Sequence, residues 1–426
     1  MQSHINNLAL KDLRVLDLTQ VAVGPYTTFL LGFMGAEVIK VESTSRMDIS
    51  RGQASPTPNG YRVYPDNDPG ERPWNRAGHH VHRNINKLSL TLDLSTERGK
   101  DLCKQLASVC DVLIENFRAS VMDRLGLGYD VLSKVNPHLI YLKISSQGAT
   151  GPEKDYGSLG STLEQTAGLA SITGYEDRRP LMTNETYPDP VGGILNFGVL
   201  MAALRRQRKT GQGGFIDFSQ RELVASMLGQ EFLDYSFNGR VAEPTGNQHP
   251  IFEPQGVYPC LGDDMWIAIS VGSEDEWVGL CDAIDMPQLT RNPRFQSGLA
   301  RRRNRYELER LLSNWTREQE HYEAMHTLQK NGVPAGAVLK GGEIINDPHL
   351  EARGFWDEVY HPEAGVYKQV TTPWEFSKSG RIRAMAAPGL GEHNEYVLSE
   401  LLGLTAEELD LLETRGVIGT IPVGAE

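Results

Sequence analysis

Two runs rich in β-branched residues, Arg14-Val-Leu-Asp-Leu-Thr19 and Glu37-Val-Ile-Lys-Val-Glu42, flank an apolar helix-like stretch that starts at Gly24-Pro25 and reaches Leu31. The pattern recurs, with a helical run over 97–108, a strand over 111–114, and a strand over 138–144 entered through Asn136-Pro137. Strands that alternate with helices need right-handed crossovers, which predicts an α/β fold: a Rossmann-like parallel sheet covered on both faces. In such sheets ligands gather at the carboxyl ends of the strands, here 17–22, 42–45, 115–118 and 145–148. No GxGxxG follows the first strand and no Walker A sequence occurs, so the usual dinucleotide and phosphate-loop readings lose their main support.

Between Arg46 and Lys87 the chain is rich in Pro, Gly, Asn, Arg and His and shows no periodicity, which predicts a long irregular loop leaving the second strand. Within it lie His79, His80 and His82. No acidic or Cys partner stands at ligand spacing, so surface histidines are the simpler reading and metal binding the lesser one. Farther on, Tyr187-Pro-Asp-Pro-Val-Gly-Gly193 places a carboxylate between two prolines ahead of a strongly apolar helix that turns basic at 205–209 and ends at Gly211. Proline suits the first helical position and aspartate is a preferred N-cap, so Asp189 is expected at a helix N-terminus, where the dipole favours an ionised acid. Two readings stay open there: a plain cap, or an anchored anion ready to act as a nucleophile.

The chain divides, on this reading, into a large α/β domain over 1–220, a linker over 221–250, and a smaller α+β domain over 251–335. A second linker over 336–375 leads to a helical tail, 376–426, that packs back on the large domain. Leu398, Leu401, Leu402, Leu411 and Leu412 occupy the apolar positions of that tail. With 426 residues and a formal net charge of -13, the chain fits a protein that handles a small molecule or another subunit. A general nucleic-acid or anionic-membrane role is disfavoured. Cys103, Cys110, Cys260 and Cys281 form no CxxC pair and no metal-ligand spacing, and read as buried thiols of a reducing cytoplasm. No segment approaches the ~20 apolar residues of a membrane span, and no basic region precedes an apolar stretch at the N-terminus.

Taken in order, the motifs resemble those of the family III coenzyme A transferases, the group that includes formyl-CoA transferase and the carnitine CoA-transferase. They are Val15-Leu-Asp-Leu-Thr19 with Gly24-Pro25, Gly35-Ala-Glu-Val-Ile-Lys-Val-Glu42 with Asp48 and Arg51, and Asn86-Lys87 before Leu92-Asp-Leu94. Glu115-Asn-Phe117, Asp123-Arg-Leu-Gly126, Asn136-Pro137, Gly151-Pro152, Gly332-Val-Pro334 and Leu390-Gly-Glu-His393 follow. The resemblance implies that Asp189 is the catalytic aspartate of an aspartyl anhydride and aspartyl-CoA thioester mechanism. No permanently bound cofactor and no metal would be needed, with the coenzyme A thioester as a substrate. A carboxylate suits this chemistry because it is deprotonated at neutral pH and its anhydride keeps the energy of the thioester.

The same resemblance carries a coenzyme A site to Gln20, Val21 and Ala22 beside the nucleophile. The nucleotide part falls to Leu92, Leu94, Asn116, Phe117, Arg118, Arg124 and Leu125, with Arg51 on a further motif. Arg124 is the preferred phosphate contact because guanidinium offers a fixed fork of donors. Lys87 lies on a motif too, but a structural ion pair is the simpler reading. Gly160, Gly192 and Gly193 are candidate substrate positions, the last two for close backbone approach to the reacting carbonyl or for mere helix packing. The family also implies a large domain built from both chain ends, a small domain from the middle, and an interlocked dimer, either of identical chains or of two related ones.

Departures bear on substrate. Gln20, Ala22, Gly157, Leu159 and Gly160 stand where formyl-CoA transferase has His, Gln, Lys, Tyr and Glu, and 246–255 is not the glycine-rich gating loop of that enzyme. A larger organic acid, dicarboxylic or aromatic, with succinyl-CoA as donor, is the expectation. Two alternatives are an α-methylacyl-CoA racemase, which needs a histidine that Tyr156-Gly-Ser-Leu-Gly-Ser-Thr162 lacks, and a non-catalytic subunit, for which Asp189 would be only a cap.

Overall fold

The computed structural model describes residues 7–57, 62–175, 179–183 and 186–425. Its centre is a six-stranded sheet in the order β3-β2-β1-β4-β5-β6, formed by β1 (Arg14–Asp17), β2 (Glu37–Glu42), β3 (Leu88–Thr91), β4 (Val112–Glu115), β5 (Ile140–Ser145) and β6 (Gly214–Ser219). All five pairings are parallel. Adjacent residues of one strand point to opposite faces, and both faces are covered, which is why the strands are apolar throughout. Leu16, Ile39, Leu113 and Tyr141 face Leu102, Cys103 and Leu106 of α3 (Glu97–Val109). Their neighbours Val15, Val38, Val112 and Ile140 face Val23 and Leu31 of α1 (Val23–Phe33) and Leu200 and Leu204 of the long helix Pro188–Thr210.

The chain falls into two compact units, one comprising Met1–Leu169, Met182–Leu233 and His349–Glu426, the other Ala170–Leu181 and Asp234–Pro348. In the first, the C-terminal tail returns to the sheet. Leu398 and Leu412 enter its core, Leu401 and Leu402 pack against it, and Leu411 is left exposed because the helix Ala406–Thr414 turns it outward. The second unit has its own core around an antiparallel sheet of β7 (Gln255–Pro259), β8 (Trp266–Ser270) and β9 (Ala335–Val338), with Trp277, Leu280, Phe295, Leu308 and Leu328 packed on it. Both expected linkers carry secondary structure of their own. The 221–250 stretch carries the helices Gln220–Ser226 and Gly229–Asn238, while 336–375 contains most of β9 and the hairpin of β10 (Trp356–His361) and β11 (Gly365–Val370).

The expected irregular loop is also more ordered than its composition suggests, outside residues 58–61, which lie beyond the described ones. It holds 3-10 turns at Ile49–Arg51, Pro65–Asn67 and Pro73–Asn75 and the short helix α2 (Gly78–Arg83). Contacts with distant residues supply the order. His80 is fully buried, with its ring nitrogens at Pro388 O (3.3 Å) and Asn84 Nδ2 (3.1 Å), so it is a core residue and not a surface one. His82 packs near Phe29 and accepts from Gln369 Nε2. Only His79 of the three is exposed, and no group of metal-ligating side chains forms among the described residues. All four cysteines are buried and unpaired, and no helix among the described residues is long and apolar enough to cross a membrane.

Arg51 is the firmest of these fastenings. Its Nε and Nη2 donate to the two Glu42 carboxylate oxygens at 2.8 and 2.7 Å, and Nη1 donates to Trp74 O at 3.1 Å, with both charged side chains wholly buried. Removing one member of such a pair leaves the other charge without compensation in a dry interior. Arg51→Met is therefore expected to lose about 3–5 kcal/mol of stability, read from urea unfolding midpoints. A loss below about 1 kcal/mol would mean that the pair is solvated.

Candidate active site

The sheet order reverses between β1 and β4, whose neighbours on either side continue in opposite directions, and the loops leaving these two strands bound a cleft. β1 ends at Asp17, whose buried carboxylate accepts from Thr28 Oγ1 at 2.7 Å, Thr19 N at 2.9 Å and Lys87 Nζ at 3.1 Å. Burial pushes the Asp17 carboxyl up, but Lys87, Lys40 and the two threonine hydroxyls pull it farther down, so it stays charged. Lys40, equally buried, donates to Thr19 O at 2.8 Å and to Asp48 Oδ2 at 3.0 Å.

Three consecutive backbone units are held by side chains from elsewhere. Thr19 O takes Lys40; Gln20 N and O are clasped by the Asn116 amide at 2.8 Å each; Val21 N donates to Asp48 Oδ1 at 3.0 Å, and Val21 O accepts from Arg83 Nη1 at 3.1 Å. Val21 has φ of 70°, a left-handed conformation that a β-branched residue adopts only under constraint. Those four side chains supply the constraint.

Asp189 stands across the cleft, 9 % exposed. The helix begins two residues earlier than expected, at Pro188, so Tyr187 is the N-cap and Asp189 lies in the first turn without capping anything. Its own N–H donates to Thr186 O, and Val191 N donates to Tyr187 O, while Pro188 and Pro190 have no N–H to offer. The plain-cap reading therefore fails on geometry. Instead the carboxylate reaches sideways: Oδ1 accepts from Gln220 Nε2 at 3.0 Å, and Oδ2 lies so near Gly160 that a Cβ there would stand 2.6 Å away. Behind it, the buried Glu164 carboxylate ties down the entry to the helix by accepting from Thr183 N, Thr183 Oγ1 and Tyr187 N. Burial raises the Asp189 carboxyl above the ordinary aspartate value. Hydrogen bonds from Gln220 and Thr186 and the charge of Arg83 oppose that rise, and Glu164 adds to it.

The cleft holds about 450 Å³ and its lining includes Val21–Val23, Asn116–Ala119, Lys154, Tyr156–Gly160, Asp189 and Gln220. Of the residues singled out from sequence, Val21, Ala22, Asn116, Phe117, Arg118, Gly160 and Asp189 come together there. Gln20 sits beside them through its clasped backbone. Others do not join them. Arg51 spends its donors inside the fold, Leu92 is 1 % exposed in the core, and Leu94 and Leu125 pack against the same core. Arg124 is exposed, bonded to Ser120 Oγ, and lies outside the cleft lining. Gly192 and Gly193 meet Val23, Leu223 and Tyr26, so their lack of a side chain serves the packing of the long helix on α1. Lys87 pairs with Asp17, as its simpler reading had it.

Gln220, Glu164, Arg83, Lys154 and Tyr156 were not singled out. Gln220 follows the last strand, at the carboxyl edge of the sheet, and that position was a usable signal. No spacing marks the others, which act through tertiary approach.

The family model for CoA-transferase family III matches residues 10–394, so the chain belongs to that family and is a CoA-transferase. It is 31% identical over 409 residues to "Succinyl-CoA--D-citramalate CoA-transferase" of Chloroflexus aurantiacus, covering 96% of this chain and 98% of that protein. Identity is 28% over 418 residues to the human "Succinyl-CoA:glutarate CoA-transferase" (98% and 92% covered). It is 31% over 425 residues to the Streptomyces avermitilis "Formyl-CoA:oxalate CoA-transferase" (96% and 99%). Among solved structures, a CAIB/BAIF family protein from Brucella suis superposes with a TM-score of 0.82 at 29% identity, covering 93% of this chain and 100% of that one.

The raised Asp189 carboxyl has a consequence for stability. Between the unfolded and folded values the folded chain binds the proton more tightly, so stability falls as pH rises through that window and the ionised group is a net cost above it. Asp189→Asn is neutral at every pH and can still accept from Gln220. Its melting temperature relative to the unsubstituted protein is expected to be more favourable at about pH 7 than at about pH 4, near the unfolded value, by calorimetry in matched buffers. An equal difference at both would show an unshifted carboxyl.

Proposed function

We propose that this member of CoA-transferase family III moves coenzyme A from an acyl-CoA donor to a free carboxylic acid, with Asp189 as the covalent nucleophile. The observation that carries this reading is Asp189 itself: a carboxylate that caps nothing, held by hydrogen bonds from Gln220 and Thr186, with a glycine against its Oδ2, at the switch point of the sheet. Asp189 attacks the thioester carbonyl; the C–S bond breaks, giving a mixed anhydride and the CoA thiolate. The thiolate then attacks the aspartyl carbonyl and releases the donor acid as its carboxylate. The acceptor carboxylate attacks the resulting aspartyl-CoA thioester, forming a second anhydride and thiolate. Attack of that thiolate on the acceptor acyl carbon yields the new acyl-CoA and frees Asp189.

Gln220 orients the nucleophile, and the clasped Thr19–Val21 backbone forms the opposite wall. Exposed Arg118 and Lys154 supply positive charge at the cleft mouth for the phosphates of coenzyme A. Among the described residues no histidine lines the cleft, which favours transfer over α-proton exchange. For substrate, we infer succinyl-CoA as donor and a dicarboxylic acid as acceptor. Two relatives are named for succinyl-CoA with citramalate or glutarate, both dicarboxylic. The aromatic alternative has no such support.

The proposal extends to a cytosolic dimer. The helix Gly229–Asn238 buries none of its residues, yet leaves Phe232, Leu233, Tyr235 and Phe237 exposed, a surface suited to a second chain.

Incubation with succinyl-CoA followed by hydroxylamine should place a hydroxamate on Asp189, detected by peptide mass spectrometry. Asp189→Asn should lose transfer by at least about 10⁴-fold, the order expected for deleting a covalent nucleophile. An active Asn variant, or an adduct on another residue, would sink the nucleophile reading. Light scattering should give the mass of two chains; a single-chain mass would count against the dimer.

A further inference from the structure

Arg83 is a cation placed at the active site without a carboxylate of its own. It ends α2, and its one recorded hydrogen bond runs from Nη1 to Val21 O at 3.1 Å. It forms no ion pair among the described residues, although the residue is not fully buried and its guanidinium carries further donors. The other arginines of the neighbourhood differ: Arg51 is bidentate to Glu42, and Arg221 pairs with Glu153. Arg118 and Lys154 line the cleft on the Asn116–Ala119 side, whereas Arg83 approaches the Val21 peptide from α2 and lies outside that lining. Two positive regions therefore serve Asp189, one at the open mouth of the cleft and one reached through the Val21 wall, with the nucleophile within range of the Arg83 charge.

We propose that Arg83 is the specificity residue that binds the non-reacting carboxylate of a dicarboxylic acyl group or acceptor acid. This rests on the proposed role of Asp189 and names the substrate class of that site. A thioester whose CoA enters along Arg118 and Lys154 presents its carbonyl to Asp189 and extends its acyl chain beyond it. A second carboxylate on a short chain then meets the unused donors of a guanidinium already fixed through Val21 O. Guanidinium suits the task because its planar fork can hold a carboxylate with two parallel hydrogen bonds. A monocarboxylic chain of the same length leaves those donors to water.

Enzyme acylation by succinyl-CoA and by butyryl-CoA, which has the same number of acyl carbons but no second carboxylate, provides the test. Free acid (succinate or butyrate) released in a single turnover, as the aspartyl-CoA thioester forms, is followed over a range of thioester concentrations for the unsubstituted protein, Arg83→Met and Arg83→Lys. The unsubstituted protein should favour succinyl-CoA. Arg83→Met should lower the succinyl-to-butyryl ratio of second-order rate constants by about 10- to 100-fold, the usual range for a charged hydrogen bond. Arg83→Lys should retain part of the preference. A role confined to propping the Val21 peptide would lower both thioesters by the same factor and leave the ratio unchanged, which would overturn the proposal; so would equal rates for the two thioesters in the unsubstituted protein. If Arg83→Met does not fold, the ratio for Arg83→Lys decides: a ratio identical to that of the unsubstituted protein overturns it. Acid release from both thioesters, with an adduct on Asp189 but no preference, ends this inference alone. No release from either ends the nucleophile reading with it.

Discussion

The buried charge network of Asp17, Lys87, Lys40 and Asp48 is the constraint on which the site depends. Each member is cut off from water, and each spends part of its hydrogen-bonding capacity on backbone. Lys40 takes Thr19 O, Asp48 takes Val21 N and Ser50 N, and Lys87 takes Pro25 O. A network of this kind is a poor source of net stability, because desolvation offsets most of the attraction. It does select one arrangement, since any other leaves a charge unpaired in a dry interior. That selectivity holds Val21 in a left-handed conformation that its side chain disfavours. The wall opposite Asp189 is thus fixed before any substrate arrives.

The same logic explains why the site lies where it does. Parallel strands direct their carboxyl ends to one edge, and the order reversal between β1 and β4 separates the two following loops there. Asn116, leaving β4, bonds both polar groups of Gln20, leaving β1, so the loops bounding the cleft are also bonded across it. Glu115 sets the turn that presents Asn116 by accepting from Phe117 N at 2.7 Å. Gln220 follows β6 and reaches Asp189 from the sheet edge. Three strand ends therefore position the clasp, the wall and the Gln220 amide that holds the carboxylate, and the long helix only carries Asp189 to them.

How much of this could be read from sequence follows from how local each cause is. The sheet was legible because two buried faces force unbroken apolar runs, and Val15 beside Leu16 shows the rule in one pair. Asp189 was legible as a special residue because two prolines isolate it, but its local role was misread: with Pro188 starting the helix, the aspartate moved from cap to first turn. The 46–87 stretch looked formless because its order comes from side chains that bond to residues distant in sequence, as Arg51 does to Pro388 O and His80 to the same carbonyl. Gly192 and Gly193 were ambiguous for the opposite reason, since a glycine required by helix packing and one required by a substrate look identical in one sequence. Arg83 and Glu164 were invisible: a single polar residue has no period, and its partner is set only when the chain folds.

One coupling joins the wall, the nucleophile and the substrate. In the free protein burial raises the Asp189 carboxyl, while hydrogen bonds from Gln220 and Thr186 and the Arg83 charge restrain that rise. A dicarboxylic substrate that pairs its distal carboxylate with Arg83 would neutralise the last of these and exclude water as it enters. Both changes make the Asp189 carboxylate more basic in the complex than in the free site, and basicity and nucleophilicity rise together for oxygen anions of one type. A monocarboxylic acid excludes water but leaves the Arg83 charge acting on Asp189. Discrimination between the two classes would then arise twice, once in binding and once in the reactivity of the nucleophile. The device has a limit set by the same charges: if Asp189 became basic enough to take up a proton, it could not attack. The hydrogen bond from Gln220, which favours the ionised form whatever is bound, guards against that outcome.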